Sequence, residues 1–175
     1  MEKNKFTDPR DGQTYETYQI GYITWMTENF RYNTEGCFVS EDGEVYYHAS
    51  DLENLCPEGW HIPTSEDWGE LFDYVEEDST EFIHRASMCT IFPSESSSDK
   101  FGFSDVVAGW QDKNGSIVNA KIASRFWCAD KSLFFKKFCK TATWEYPQNS
   151  KKMYGKDFKF EKDNGFGCSV RLIKD

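Results

Sequence analysis

Apolar and polar positions alternate along the first part of the chain, and the period becomes helical further on. Residues 12–25 alternate polar positions with aromatic or β-branched ones, and Gly21 interrupts the alternation. A period of two around a glycine turn is typical of a β-hairpin. Residues 45–47, which follow a turn at residues 41–43, are aromatic or β-branched and also favour a strand.

Residues 65–76 carry apolar side chains at the spacing of an α-helix. The apolar positions recur three and four residues apart and are Trp68, Leu71, Phe72 and Val75. Thr64 stands at the expected N-cap, and Asp67 lies three residues later to close a reciprocal cap. The pattern predicts an amphipathic helix with one buried face and an acidic outer face. A short helix is also predicted near residues 49–55, and a weaker helical segment near residues 80–88.

The second half of the chain consists of short strand-like segments separated by turns. Strands are predicted at residues 106–110, 117–118, 124–129, 133–138, 141–145, 158–161 and 167–173. Two short helices and a strand-rich second half are typical of an α+β domain and not of repeated βαβ units. A length of 175 residues favours a single domain over residues 1–175.

The net charge of −10 is distributed unevenly and limits the classes of partner. Residues 1–100 have a net charge of −16, whereas residues 101–175 have a net charge of +6. An acidic chain lacks the positive field that neutralises phosphates, so we expect no nucleic-acid partner. Its apolar runs are all shorter than the roughly 18 residues that a membrane helix needs, so we expect no membrane insertion.

Sequence signals of catalysis are weak. The three histidines, His48, His61 and His84, are dispersed and lack the HExxH spacing of a zinc enzyme. The sequence contains neither a GxSxG motif nor a glycine-rich phosphate loop. We therefore expect a protein that is not an enzyme and has no cofactor. Calcium could bind oxygen atoms of the acidic turns at residues 41–43 and 112–115, but such turns are common and do not indicate it.

Aromatic residues, which make up 17% of the chain, are the better functional lead. Sugar rings stack on Trp and Tyr side chains, and exposed aromatic residues also anchor protein partners. The tryptophans with apolar neighbours, which we expect in the core, are Trp25, Trp60, Trp68 and Trp127. The aromatic residues that adjoin polar loop sequence are Trp110, Trp144, Tyr146 and Tyr154. These four are predicted to form the surface that binds a glycan or a protein partner.

Distinctive sequence blocks are spread over nearly the whole chain. They are residues 6–15, residues 23–30, the Cys-Pro-Glu-Gly-Trp-His-Ile-Pro-Thr block within 56–68, residues 102–104 with 108–110, residues 126–127 and residues 167–175. In this order they resemble the Fibrobacter succinogenes major paralogous domain family, a bacterial module often found in exported or surface proteins. The resemblance implies a C-type lectin-like fold, related to formylglycine-generating enzymes, whose chain termini pair in one sheet and whose long loops hold the ligand.

Six cysteines agree with the oxidised, exported protein that this resemblance implies. They are Cys37, Cys56, Cys89, Cys128, Cys139 and Cys168. Without a CxxC pair, a structural zinc site is disfavoured. The chain departs from the family in having Leu172 where a cysteine is usual and Cys168 four residues earlier. The resemblance suggests the disulfide candidates Cys56–Cys168 and Cys128–Cys139, and six buried thiols are the alternative.

The sequence therefore predicts a non-catalytic recognition domain of an exported or cell-surface bacterial protein, which binds a glycan or a protein partner through loops and exposed aromatic residues. No hydrophobic signal segment follows Met1, so any export signal is expected outside this sequence. A first alternative is a structural spacer or assembly module without a small ligand. A second is a degenerate enzyme of the formylglycine-generating type.

Overall fold

Short antiparallel strands dominate the structure, a computed structural model that describes residues 3–77, 108–120, 123–131, 138–145, 157–162 and 165–175. The described residues include a 3-10 helix at Ala49–Asn54 and an α-helix, α1, at Ser65–Glu77. The strands in chain order are β1 (Lys3–Thr7), β2 (Thr14–Ile20), β3 (Ile23–Met26), β4 (Phe38–Val39), β5 (Val45–Tyr46), β6 (Trp60–His61), β7 (Trp110–Gln111), β8 (Ile117–Val118), β9 (Ala123–Lys131), β10 (Phe138–Glu145), β11 (Asp157–Lys162) and β12 (Ile173–Lys174).

The largest sheet joins the two ends of the described chain. Its five strands have the order β1-β2-β3-β12-β6, and each neighbouring pair is antiparallel. In the β2–β3 hairpin Ile20 lies opposite Ile23, as the alternation around Gly21 predicts. Ile173 of β12 lies opposite Trp25 on one side and His61 on the other. The termini therefore pair in one sheet, as the family resemblance implies.

A second sheet has the strand order β11-β10-β9, and α1 packs against β9 and β10. The start of α1 is fixed by the reciprocal cap that the sequence predicts. The Asp67 backbone N–H donates to Thr64 Oγ1 at 3.2 Å, and the Thr64 N–H donates to the Asp67 carboxylate at 2.7 Å. Asp130 of β9 also accepts hydrogen bonds from the Ser65 N–H and hydroxyl at 2.6 and 2.8 Å. The helix is therefore capped and joined to the second sheet at the same point.

The core consists of two aromatic clusters. In the first, the ring centre of Trp68 lies 4.8 Å from that of Trp25 and 5.1 Å from that of Phe126. The second cluster contains Trp60 and Trp127. All four tryptophans expected in the core are buried, so that prediction is confirmed.

The predicted α+β class, with its C-type lectin-like fold, is wrong, because the structure is mostly β. In the part of the chain that the structure describes, α1 is the one α-helix, and the short helix predicted near residues 49–55 is a 3-10 helix at Ala49–Asn54 without a buried residue. Residues 3–26 already supply three strands of the main sheet, so strands dominate the first half as well as the second. The weaker helix predicted at residues 80–88 lies outside the described residues. The single domain over 1–175 stays a prediction.

An ion pair joins the turn after β1 to the body of the structure. Asp8 is fully buried, and its carboxylate accepts hydrogen bonds from Arg10 Nε at 2.9 Å and from Arg10 Nη2 at 2.6 Å. Arg10 also donates to the Leu55 carbonyl at 2.9 Å, and its guanidinium carbon lies 3.9 Å from the ring centre of Tyr32. These hydrogen bonds from Arg10 lower the pKa of the Asp8 carboxyl.

We expect Asp8→Asn to lower the free energy of unfolding at pH 7 by about 2–3 kcal/mol, because the Arg10 guanidinium would lose its carboxylate. Since the folded-state pKa of Asp8 is lowered, the pair stabilises the fold above roughly pH 4, and its contribution is lost as the pH falls through the folded-state pKa. Urea unfolding of both proteins from pH 7 downward checks this. The stability difference between them should shrink below pH 4.

The matched control is Asp11→Asn, because Asp11 is an exposed carboxylate in the same turn. We expect it to change the stability by less than about 0.5 kcal/mol. A loss in Asp8→Asn that stays constant down to low pH would contradict the ion-pair explanation.

Candidate functional site

Trp110 is the one member of the predicted aromatic surface whose side chain the structure describes. It begins β7 and is partly buried. The guanidinium carbon of Arg125 lies 4.0 Å from its ring centre. One face of the ring, which a sugar would need for stacking, is therefore covered by a cation. Tyr146 and Tyr154 lie outside the described residues.

The backbone brings the Trp110 and Trp144 segments together at β9. Gly109 forms a parallel bridge with Ser124, and Ser124 lies opposite Trp144 in the β9–β10 pair. Two of the four predicted residues therefore belong to segments that each pair with β9. Their role in ligand binding stays a prediction.

The two acidic turns that were considered for calcium are closed by local hydrogen bonds. The Asp112 carboxylate accepts from the N–H groups of Ser116 and Asn114, each at 2.9 Å, and these bonds lower the pKa of Asp112. In the other turn, the Gly43 N–H donates to the Ser40 carbonyl at 3.0 Å and closes the β4–β5 hairpin. Across the described ranges, no group of three or more His, Cys, Asp or Glu residues is arranged to hold a metal ion. Neither turn adds support for calcium.

Neither candidate disulfide is formed in the structure. The cysteines Cys37, Cys56, Cys128 and Cys168 are present as thiols. Cys56 is partly buried and packs against the core cluster that contains Cys168, and burial raises the pKa of Cys56 to about 11. Such a thiol has little thiolate at neutral pH, which disfavours nucleophilic chemistry. In the β9–β10 pair Cys128 lies opposite Lys140, and Cys139 lies opposite Lys131, so the second candidate pair is not in register.

The two described histidines lie in different parts of the structure and make separate contacts. His48 Nδ1 lies 3.1 Å from the Phe166 carbonyl oxygen. His61 Nδ1 lies 2.6 Å from Asp175 Oδ1, and this contact joins β6 to the residue after β12. His84 lies outside the described residues. Both contacts join separate segments of the chain.

An exposed aromatic turn that the sequence analysis did not select stands at one end of the main sheet. Gly21 and Tyr22 form the turn between β2 and β3, and Gly21 has a φ of +60°. A glycine with positive φ at the first central position is the signature of a type II′ hairpin. The Tyr22 side chain is fully exposed, and Val39 is the other large apolar residue exposed among those described. The sequence did contain a signal for this exposed residue, because the turn predicted at Gly21 places Tyr22 at its tip.

A cleft of about 480 Å³ lies between this turn and helix α1. Its apolar side is formed by the buried residues Ile20, Trp25 and Leu71. The exposed carboxylates of Glu70 and Asp73 also line it. An apolar surface with a few polar groups, in a volume of roughly 300–1,000 Å³, is typical of ligand pockets.

Two local features of the sequence build the walls of this cleft. The α1 residues that line it lie at positions 70, 71, 73 and 74, which share one face of a helix. The ring of Tyr74 packs over Gly21, since its Cδ2 lies 3.5 Å from the position that a Cβ would occupy there. The glycine therefore both turns the chain and lets the turn approach the helix closely.

The charged residues among the described lining of the cleft are Glu70 and Asp73. They belong to the half of the chain with a net charge of −16.

Comparison with protein families gives one match. A family model described as the Fibrobacter succinogenes major domain matches residues 40–174, and this is the family that the sequence blocks resemble. Neither the curated proteins nor the solved structures yield a match. Within the described ranges, no helix combines the length and the apolar character needed to cross a membrane. The matched segment contains α1 but not the β2–β3 turn, so the cleft lies between matched and unmatched parts of the chain.

Proposed function

Because the chain belongs to the Fibrobacter succinogenes major domain family, we propose that it is a non-catalytic recognition domain of an exported or cell-surface bacterial protein. Its ligand is a glycan, and its binding site is the cleft between the β2–β3 turn and α1. The observation that carries this proposal is the position of Tyr22, fully exposed at the edge of a cleft that two carboxylates also line.

The chemistry of the cleft suits a sugar. A pyranose ring presents an apolar face of C–H groups that stacks on an aromatic ring, here the exposed ring of Tyr22. Its hydroxyl groups donate hydrogen bonds, and the carboxylates of Glu70 and Asp73 accept them. The turn that carries Tyr22 is fixed by the Ile20–Ile23 pair and by packing on Tyr74. The turn therefore loses little conformational entropy on binding.

We expect Tyr22→Ala to weaken glycan binding by about tenfold, because the stacking surface is removed. The measurement is a glycan array with the full chain, with calcium and with EDTA, followed by titration calorimetry of the best ligand. The matched control is Val39→Ala, because Val39 is the other exposed large apolar residue among those described and does not line the cleft. Thermal unfolding verifies that both variants are folded.

The outcomes separate the competing hypotheses. Equal losses in Tyr22→Ala and Val39→Ala would contradict a specific site at the cleft. Loss in Trp110→Ala with full binding in Tyr22→Ala would place the site on the aromatic surface predicted from the sequence. Absence of binding to every glycan would overturn the proposal in favour of a spacer or a protein-binding module.

A further inference from the structure

We infer that Tyr74 is a positioning residue: its ring holds the β2–β3 turn against α1 and keeps the Tyr22 side chain in place at the edge of the cleft. This inference rests on the proposed function of the cleft. It adds a residue that acts on ligand binding through Tyr22, and it predicts a property of the free chain that is measured without a ligand.

The β2–β3 hairpin extends beyond the rest of the main sheet. Among the described strands, β1 pairs with residues 14–18 of β2, and β12 pairs with β3 at Trp25. Within the described ranges, residues 19–24 therefore have only each other as strand partners. A two-stranded hairpin is only marginally stable by itself and needs packing against a further element. The end of this hairpin therefore depends on its contacts with α1.

Two different contacts hold this end of the hairpin. Its base is fixed by the core, because Ile20 is buried in the same cluster as Leu71 of α1. Its tip is held by the ring of Tyr74, whose Cδ2, Cε2 and Cγ atoms lie 3.5, 3.8 and 3.9 Å from the position that a Cβ would occupy at Gly21. Three atoms of one ring at these distances show that the ring lies against the turn.

The side chain of Tyr22 provides no comparable anchor. It is fully exposed, so its position is set by the backbone of the turn, in which Gly21 directly precedes it. Tyr74 is partly buried and packs against the core cluster, so its ring supports the turn from a fixed position. Without that ring the turn would sample more conformations, and the ligand would have to order it on binding, which lowers the affinity.

The first measurement is amide hydrogen exchange of the free full chain. We expect Tyr74→Ala to make the amides of Ile20 and Ile23 exchange about tenfold faster, because the end of the hairpin opens more often. The internal reference is Thr17 and Tyr18, which are paired with both β1 and β3 and should change little. The matched control is Tyr74→Phe, which keeps the ring and should leave the exchange unchanged.

Two results of this measurement would overturn the inference. Unchanged exchange at Ile20 and Ile23 in Tyr74→Ala would mean that the ring does not hold the turn. An equal acceleration at Thr17 and Tyr18 would mean that the ring supports the whole fold and not the turn in particular. Tyr74→Leu repeats the comparison with more of the apolar packing kept, in case Tyr74→Ala does not fold.

The second measurement is a double-mutant cycle of binding by titration calorimetry. The probes are hexamers of β-1,4-linked glucose, xylose and mannose, and the one that the unaltered chain binds most tightly is used for every variant. We expect Tyr74→Ala to weaken binding about fivefold and Tyr22→Ala about tenfold. The double variant should also lose only about tenfold, because a turn without its aromatic side chain gains nothing from being held in place. Tyr74→Phe should bind as the unaltered chain does.

The outcomes separate this inference from the proposed function. A loss of about fiftyfold in the double variant, the product of the two single losses, would show that Tyr74 contacts the ligand itself and would overturn its positioning role. Faster exchange in Tyr74→Ala without binding of any hexamer would support the role of Tyr74 in holding the turn and count against a glycan as the ligand. Faster exchange together with a non-additive loss of binding would support both.

Discussion

A chain that begins at residue 40 is expected to lose cooperative folding, although it keeps the whole segment that matches the family model. This truncation removes β1, β2 and β3, which are three of the five strands of the main sheet. It also removes partners of the C-terminal segment, because the Met26 N–H donates to the Leu172 carbonyl at 2.9 Å and the Phe30 N–H to the Val170 carbonyl at 2.8 Å. The truncated chain would expose one side of β12.

The core packing that this truncation removes is expected to cost more free energy than the whole domain gains on folding. The removed residues that are completely buried include Tyr15, Trp25, Met26 and Phe30. Loss of a single buried aromatic side chain costs about 3–5 kcal/mol, and a native domain is stable by only about 5–15 kcal/mol. The N-terminal residues are therefore part of the folding unit and not an appended segment.

The measurement is chemical unfolding of residues 40–175, monitored by circular dichroism. The dispersion of the amide NMR signals shows separately whether the truncated chain is folded. The control lacks only residues 1–7, because β1 is an edge strand and residues 4, 5 and 7 are exposed. We expect the control to remain folded with reduced stability. A sharp unfolding transition in residues 40–175, with the denaturant dependence of the full chain, would contradict the prediction.

Local features of this fold could be predicted because neighbouring residues determine them. The turn at Gly21 and the cap between Thr64 and Asp67 depend on a few adjacent positions, and the structure contains both. Burial of Trp25 and Trp68 followed from their apolar neighbours in the sequence. Each of these predictions rests on a short window of the chain.

The fold class could not be predicted, because it depends on which distant segments pair. The position of β12 between β3 and β6 brings Ile173 opposite Trp25, and no local period contains that information. The helix α1 was predicted correctly from its apolar spacing. Many of the strands around it are only two residues long, which is too short for a period of two to be recognised in the sequence.

The candidate site was missed for the same reason. Both of its walls were predicted, one as a turn at Gly21 and the other as a helix over residues 65–76. Their approach depends on the packing of Trp25 on Trp68, a contact between separate elements. Trp110 was predicted to be exposed because it adjoins polar loop sequence, but its ring is partly covered by Arg125 from another strand.

Gly109→Ala is expected to be among the most destabilising single substitutions in the chain, with a loss of about 3–5 kcal/mol in the free energy of unfolding. Gly109 has a φ of +70°, a conformation that costs alanine about 1–2 kcal/mol. A Cβ at this position would overlap the Val118 carbonyl oxygen and lie 2.7 Å from the Ala120 nitrogen. Both atoms belong to the backbone, so no side chain can move aside to make room.

Relief of this overlap would require the chain to break pairings on both sides of Gly109. Trp110 is paired with Val118 in the β7–β8 hairpin, and the Gly109 N–H donates to the Ala123 carbonyl at 2.9 Å. The matched control is Gly12→Ala, because Gly12 has a φ of +77° and no atom within 4 Å of its added Cβ. It should lose only about 1–2 kcal/mol, the conformational part of the cost. Urea unfolding of the two variants therefore isolates the overlap, and equal losses would mean that the close approach of β7 to residues 118–120 does not constrain the fold.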